Sequence, residues 1–155
     1  MASKISSKII ISILDLKLGN VKSLSSCLDY LGIKYKIIFT PADVVKSDFL
    51  VIPGVGSFDY AMGLLKKKKL IESIKIHTLI KKKIILGICI GMQIFFSSSE
   101  EGKMKGLNFF SNKLYKLKKN DTFKVPNVGY NPIFGFKKNG IFSNFNKDLS
   151  FYFTN

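Results

Sequence analysis

Four apolar runs of strand length, separated by helical patterns, constrain the fold of this chain more than any other feature. The runs are Lys8 to Asp15, Lys34 to Phe39, Asp48 to Ile52 and Ile84 to Cys89. The helical patterns are Asn20 to Leu31, a short helix opened by Pro41, Phe58 to Leu65 and Leu70 to Lys81. Because continuous apolar runs are typical of strands buried on both faces, this alternation predicts a parallel sheet covered by helices on each side.

The carboxyl ends of parallel strands are where such sheets collect ligands. Three loops follow predicted strands: Asp15 to Asn20, Pro53 to Gly56 and Gly87 to Gly91. We expect them to converge on one crevice.

The helix Asn20 to Leu31 carries clear boundary signals. Asn20 is a favourable N-cap residue, and Gly32 is a favourable stop. Cys27 falls beside the apolar stripe of this helix, and we expect it to pack in the core.

The most reactive candidate is Cys89, in Gly87-Ile88-Cys89-Ile90-Gly91. Glycines two residues either side of a nucleophile let a strand turn sharply into a helix, here predicted over Met92 to Ser97, and leave the central side chain exposed. The positive end of a helix dipole favours the thiolate form of such a cysteine. The alternative is an inert buried cysteine with glycine neighbours.

Size and composition predict one globular domain over residues 1–155, with 46% hydrophobic and 23% charged residues. Two cysteines give no disulfide framework, and the run Ile9 to Leu14 is too short for a membrane span or a signal peptide. We therefore expect a soluble protein of the reducing cytoplasm, with no membrane association.

The net charge of +15 comes entirely from lysine, since the sequence contains no arginine. Arginine is the preferred side chain for forked contacts with phosphates and guanine edges. We therefore expect no specific nucleic-acid partner, although a charge of this size attracts polyanions weakly.

After Glu101 the pattern changes to short segments rich in Phe, Tyr and Lys, with turn signals such as Lys138-Asn139-Gly140. These features predict antiparallel hairpins. The segments are Leu107 to Phe110, Lys113 to Leu117, Phe123 to Val125, Ile133 to Phe136 and Leu149 to Phe153.

Several motifs together resemble class I glutamine amidotransferases, and more narrowly the glutaminase subunit of imidazole glycerol phosphate synthases. In chain order they are Pro53 to Phe58, Gly87 to Gln93, Ser99 to Gly102, Val125 to Asn131 and Ser150 to Asn155. The resemblance implies a flavodoxin-like three-layer α/β fold with a mostly parallel central sheet and antiparallel C-terminal hairpins, incomplete at the C-terminus.

The resemblance also implies a role for each matching residue. Cys89 would attack the side-chain amide of glutamine and form a glutamyl thioester. The backbone amide of Ile90 and one from Gly54-Val55-Gly56 would form the oxyanion hole. Gln93 and Glu101 would hold the charged end of glutamine, with Glu101 pairing with the α-ammonium group.

The implied partner is a cyclase subunit, a (β/α)8 barrel that receives ammonia and makes imidazole glycerol phosphate and an aminoimidazole carboxamide ribonucleotide. Asn20, Tyr130 and Tyr152 fall where the family meets this barrel. No cofactor or metal is implied.

The chain departs from the family at the catalytic base, which the family supplies from a His-x-Glu segment near its carboxyl end. Its sole histidine, His77, precedes Cys89, and we expect it to be a surface residue. We therefore expect a truncated and inactive fragment of an enzyme, with a non-catalytic partner-binding module as one alternative.

Three smaller departures are Lys17, where the family has glycine, and Asn127 and Asn155, where it has histidines. They favour a second alternative, a paralogous subunit that supplies ammonia for sugar amidination in surface polysaccharides.

Overall fold

Four parallel strands form the central sheet of this computed structural model, which describes residues 9–119, 125–133 and 150–154. The strands are β1 (Ile11–Leu14), β2 (Tyr35–Ile38), β3 (Phe49–Gly54) and β4 (Ile84–Cys89), in the order β2-β1-β3-β4. The register aligns Ile11 with Phe49 and Gly54 with Cys89. The predicted parallel sheet is confirmed.

In the described part of the chain, five α-helices accompany the sheet strands. They are α1 (Val21–Tyr30), α2 (Pro41–Lys46), α3 (Phe58–Lys67), α4 (Leu70–Lys75) and α5 (Ile90–Gln93). Polar side chains begin the first three: Asn20, Thr40 and Ser57 each accept a backbone N–H of the first turn. The main core joins β3 to α3 and α4 through Leu50, Ile52, Phe58, Leu65, Leu70 and Ile74.

The cover of the sheet is uneven. Ile13 and Val51, in β1 and β3, are buried. Ile84, Leu86 and Ile88 of β4 share one face of that strand and remain between 40% and 58% exposed. The expectation of burial on both faces therefore holds for the inner strands and is wrong for β4, which lies at the end of the strand order.

The segment Leu70 to Lys81 departs from the predicted regular helix. After α4 it widens into a π-helical turn at Ile76–Ile80, in which the Lys81 N–H donates to the Ile76 carbonyl at 2.9 Å. His77 lies in this turn and is fully buried, so its predicted surface position is wrong. Its ring contacts Ser47 Oγ (3.1 Å) and the Ile84 carbonyl oxygen (3.0 Å), which satisfies both ring nitrogens inside the protein.

The predicted helix Met92 to Ser97 is also wrong, because α5 ends at Gln93 and Phe96–Ser99 forms strand β5. The Ile94 and Ser97 carbonyls accept the N–H groups of Leu107 and Gly106 at 2.8 and 2.9 Å. These non-local hydrogen bonds replace those that a continuing helix would make.

Strand β6 (Phe110–Leu114) pairs with β5 in parallel, so the predicted antiparallel arrangement is wrong there. The sequence predicted two separate strands here, Leu107 to Phe110 and Lys113 to Leu117, whereas the structure has the single strand β6 across their junction. All these elements belong to the first of two compact units, residues 1–115.

The second unit, residues 116–155, contains strands β7 (Val128–Pro132) and β8 (Ser150–Thr154), which pair antiparallel as predicted. The turn predicted at 138–140 and most of the strands predicted at 123–125 and 133–136 lie outside the described residues, as does Asn155.

Cys27 is exposed, which corrects its predicted place in the core. The buried residues of α1 are Ser25 and Leu28. Because each residue advances about 100° around a helix, Cys27 is turned away from the line that these two define.

Lys17 occupies a left-handed backbone conformation with φ of 60°, which glycine adopts with less strain than lysine. The Asp15 carboxylate accepts the Lys17 N–H at 2.7 Å and pairs with Lys17 Nζ at 2.6 Å. Burial raises the pKa of Asp15, but these hydrogen bonds outweigh it and hold that pKa below its usual value.

We expect Lys17→Gly to be more stable than Lys17→Ala by about 0.5–1 kcal/mol. Both variants lose the ion pair with Asp15, but only alanine keeps the left-handed strain, which exceeds the entropic cost of glycine. Urea denaturation of the two variants measures the difference, and an alanine variant at least as stable as the glycine variant would contradict it.

Candidate active site

Cys89 lies at the bend between β4 and α5, with an exposed side chain and backbone angles φ 55° and ψ −119°. L-residues rarely adopt this conformation, which costs about 1–3 kcal/mol and persists only where the surroundings enforce it. The flanking glycines explain how it is enforced. A Cβ on Gly87 would collide with the Gly91 carbonyl, and a Cβ on Gly91 would collide with the carbonyl of Ile52.

Helix α5 has only four residues, so the dipole expected behind Cys89 is weaker than the one a longer predicted helix would supply. The bend exposes Cys89, but the helix after it is short.

The three loops at the carboxyl edge of the sheet meet next to this bend, as expected. Gly54 is opposite Cys89 in the register, and a Cβ on Gly54 would collide with the Ile90 side chain. A Cβ on Gly19 would lie 3.2 Å from the Gly54 α-carbon. Glycine at these two positions allows the backbones to approach closely.

The backbone amides predicted for the oxyanion hole differ in their availability. Ile90 is the first residue of α5, so its N–H has no acceptor within the helix. The Val55 N–H donates to the Leu18 carbonyl, so this amide already has an acceptor within the protein. Gly56 has φ of 113°, a backbone conformation that glycine adopts readily and residues with a Cβ rarely do.

Gln93 and Glu101, predicted to bind the charged end of glutamine, follow the bend in the chain. Gln93 is the last residue of α5 and is half-buried. Glu101 follows β5 and is exposed, and its N–H donates to the buried Ser99 Oγ at 3.1 Å.

The three predicted interface residues lie in different surroundings. Asn20 is exposed, and its side-chain oxygen accepts the Ser23 N–H at 2.9 Å, so it caps α1. Tyr130 and Tyr152 are opposite each other on β7 and β8, with ring centroids 5.3 Å apart at 72°. They are 76% and 58% exposed.

His77 contacts the first residue of β4, whereas Cys89 is the last. Five strand steps place these two ends about 16 Å apart. Because both nitrogens of the buried imidazole already have partners, His77 is unsuited to accept the thiol proton, as the sequence order predicts.

Asp59 contributes a contact near the site that the sequence did not reveal. Its carboxylate accepts the N–H groups of Lys103 and Met104. These hydrogen bonds, reinforced by the Lys103 charge, hold the pKa of Asp59 below its usual value. In the sequence, Asp59 resembles an ordinary acidic residue in the first turn of a helix, and no local pattern marks a contact 44 residues away.

Within residues 9–119, 125–133 and 150–154, no group of three or more His, Cys, Asp or Glu side chains could hold a metal ion. In the same part of the chain, no helix is both long and apolar enough to cross a membrane.

Comparison with known proteins identifies the family to which this chain belongs. The family model of class I glutamine amidotransferases matches residues 12–151. A solved structure described as the crystal structure of glutamine amidotransferase matches with a TM-score of 0.60 and 15% identity, over 79% of this chain and 62% of that chain. The similarity to this solved structure shows a shared fold. The chain belongs to the class I glutamine amidotransferase family.

Two curated relatives are similar over 92% of the chain. Imidazole glycerol phosphate synthase subunit HisH 2 of Vibrio vulnificus is 37% identical, and this chain covers 68% of its length. Subunit HisH 1 of Campylobacter jejuni is also 37% identical, with 72% of its length covered. The chain therefore spans about two thirds to three quarters of these relatives.

Proposed function

We propose that this chain is the glutaminase subunit of an imidazole glycerol phosphate synthase, acting in the cytoplasm in histidine biosynthesis. The observation that carries the proposal is the exposed Cys89 thiol, held in a strained conformation at the carboxyl edge of a parallel sheet. The similarity to two HisH subunits supports the choice of this pathway.

In the proposed reaction, the Cys89 thiolate attacks the side-chain carbonyl carbon of glutamine. The resulting tetrahedral oxyanion collapses, the carbon–nitrogen bond breaks, and ammonia leaves with a proton. Water then hydrolyses the glutamyl thioester to glutamate and restores the thiol.

Oxyanion stabilisation requires N–H donors aimed at the developing charge. Ile90 offers one such N–H at the start of α5. The second donor comes from the Gly54-Val55-Gly56 loop, and Val55 can serve only if its peptide turns away from the Leu18 carbonyl.

Substrate binding is assigned to Gln93 and Glu101, with the Glu101 carboxylate pairing with the α-ammonium group of glutamine. The pair would orient the amide towards Cys89. Proton transfer belongs to a His-x-Glu sequence in this family, and residues 1–155 contain none.

The proposed partner is a cyclase barrel that receives the ammonia. Asn20, Tyr130 and Tyr152 are the residues proposed to meet it. Exposed tyrosines suit such a surface, since they bury a large apolar area and keep a polar group for hydrogen bonding.

Covalent labelling tests the glutaminase site without requiring turnover. The probe is 6-diazo-5-oxo-L-norleucine, a glutamine analogue that alkylates a nucleophile in place of the amide. We expect saturable labelling of Cys89, at least about 100-fold faster than labelling of the exposed Cys27, because the proposed glutamine site lies beside Cys89 and not beside Cys27. Peptide mass spectrometry measures both rates.

Competition provides the control. L-Glutamine should slow the labelling of Cys89, whereas D-glutamine should not, because the α-ammonium contact depends on stereochemistry. Equal labelling of the two cysteines, or no protection by L-glutamine, would refute the proposed site.

A further inference from the structure

A short segment after β5, Glu100 to Met104, carries Glu101 and is tied to the protein on both sides. Before Glu101, the buried Ser99 Oγ accepts the Glu101 N–H at 3.1 Å. After it, the N–H groups of Lys103 and Met104 are bound by Asp59. Glu101 therefore sits between two anchors.

Asp59 makes the stronger of the two anchors. Its Oδ1 accepts both N–H groups, at 2.9 Å from Lys103 and 2.8 Å from Met104, and its Oδ2 lies 2.9 Å from the Lys103 nitrogen. Hydrogen bonds to an ionised carboxylate are stronger than those between neutral groups. Gly102 completes the fit, since a Cβ there would collide with Oδ1 of Asp59.

The position of Asp59 links two parts of the site. It lies in the first turn of α3, which begins directly after the Pro53 to Gly56 loop and is held in the core by Phe58, Met62 and Leu65. The start of one packed helix thus fixes both the loop proposed to meet the oxyanion and the segment that carries Glu101.

We propose that Asp59 is a positioning residue for glutamine recognition, which sets the distance between the α-ammonium contact at Glu101 and the nucleophile at Cys89. This inference rests on the proposed function. It predicts that Asp59 governs both the affinity for the amino-acid end of the substrate and the preference for glutamine over asparagine, whose side chain is one carbon shorter.

The test uses three proteins that all carry Cys27→Ser. The first has the native Asp59 and is the reference, and the other two carry Asp59→Ala or Asp59→Asn. For each protein, labelling by 6-diazo-5-oxo-L-norleucine gives the concentration for half-maximal rate and the maximal rate. Iodoacetamide, which lacks an amino-acid group, gives the intrinsic reactivity of Cys89. Asp48→Ala is the matched control, because Asp48 is also a paired aspartate, bound to Lys83 at 2.8 Å, but precedes β3 at the opposite end of the sheet.

We expect Asp59→Ala to raise the half-maximal concentration about tenfold, with the maximal rate and the iodoacetamide rate within about twofold of native. Asp59→Asn should be intermediate, since its amide oxygen can replace the Oδ1 that accepts both N–H groups. The preference for the probe over its asparagine-length homologue, 5-diazo-4-oxo-L-norvaline, should fall in the same order. Asp48→Ala should match the native chain.

An unchanged half-maximal concentration and an unchanged preference in Asp59→Ala would overturn the inference while leaving the proposed function intact. If Asp59→Ala does not fold, an Asp59→Asn variant with native values overturns it equally. Failure of the native chain to label saturably would instead refute the proposed function, and the inference with it.

Discussion

We expect Cys89→Ala to abolish glutamine-dependent synthesis by the proposed complex with a cyclase barrel and to leave ammonium-dependent synthesis unchanged. The physical reason is that only the thioester route needs the sulfur, whereas free ammonia enters the barrel reaction directly. Loss of a nucleophile typically removes three or more orders of magnitude in rate, so we expect a decrease of at least about 10³-fold. The measurement is product formation with each nitrogen source, in a fusion that adds a family His-x-Glu segment after Asn155 to supply the base.

Cys27→Ser is the matched control, since Cys27 is also an exposed free thiol but lies on α1. It should retain native rates with both nitrogen sources. An equal loss of both activities in Cys89→Ala would contradict the proposed role, because it would place Cys89 in a function shared with the barrel reaction. Synthesis by a sugar-amidinating barrel, but not by the cyclase barrel, would assign the chain to the polysaccharide branch.

Gly91→Ala should destabilise the fold by at least about 3 kcal/mol. A Cβ at this position would collide with the backbone carbonyl of Ile52, in the central strand β3. Backbone in a packed sheet cannot move aside as a flexible side chain can, so α5 would have to shift and take Cys89 with it. The free energy of unfolding from urea denaturation measures the loss.

Gly63→Ala is a control with the opposite expected sign. Gly63 lies inside α3, and a Cβ there would meet nothing within 4 Å. Because alanine is the better helix former, this variant should be more stable by about 0.5–1 kcal/mol. A Gly91→Ala protein as stable as the native one would show that the close approach of α5 to β3 is not required.

The parallel sheet was predictable because strands of this kind have a simple sequence pattern. Apolar runs of strand length, such as Asp48 to Ile52, alternate with segments of helical spacing, and local cap residues such as Asn20 mark the helix starts. Both signals depend on nearby residues, so they can be detected without knowing the tertiary fold.

Two of the wrong predictions have a different origin, namely contacts between residues far apart in the chain. The helix expected after Cys89 ends early because residues 106–110 bond to the carbonyls of residues 94–97. The π-helical turn encloses His77, which contacts Ser47, 30 residues away. Periodicity within one window carries no information about such partners.

The candidate site also contains features that the local sequence predicts and features that depend on distant residues. Cys89 was predictable, because the glycine spacing around it reports a local bend that the structure contains. Asp59 was not, since its partners lie 44 and 45 residues further along. The hydrogen bond from the Val55 N–H to the Leu18 carbonyl could not be predicted either, because it depends on how two loops meet.

The backbone conformation at Cys89 has a cost that every copy of the protein carries. A residue that its neighbours hold at such angles lowers the stability of the fold. It persists only where selection for another property, such as reactivity, keeps it. Glycine adopts these angles without strain, so a lineage that did not need the sulfur would gain stability by exchanging Cys89 for glycine, and the cysteine would be lost before the rest of the fold.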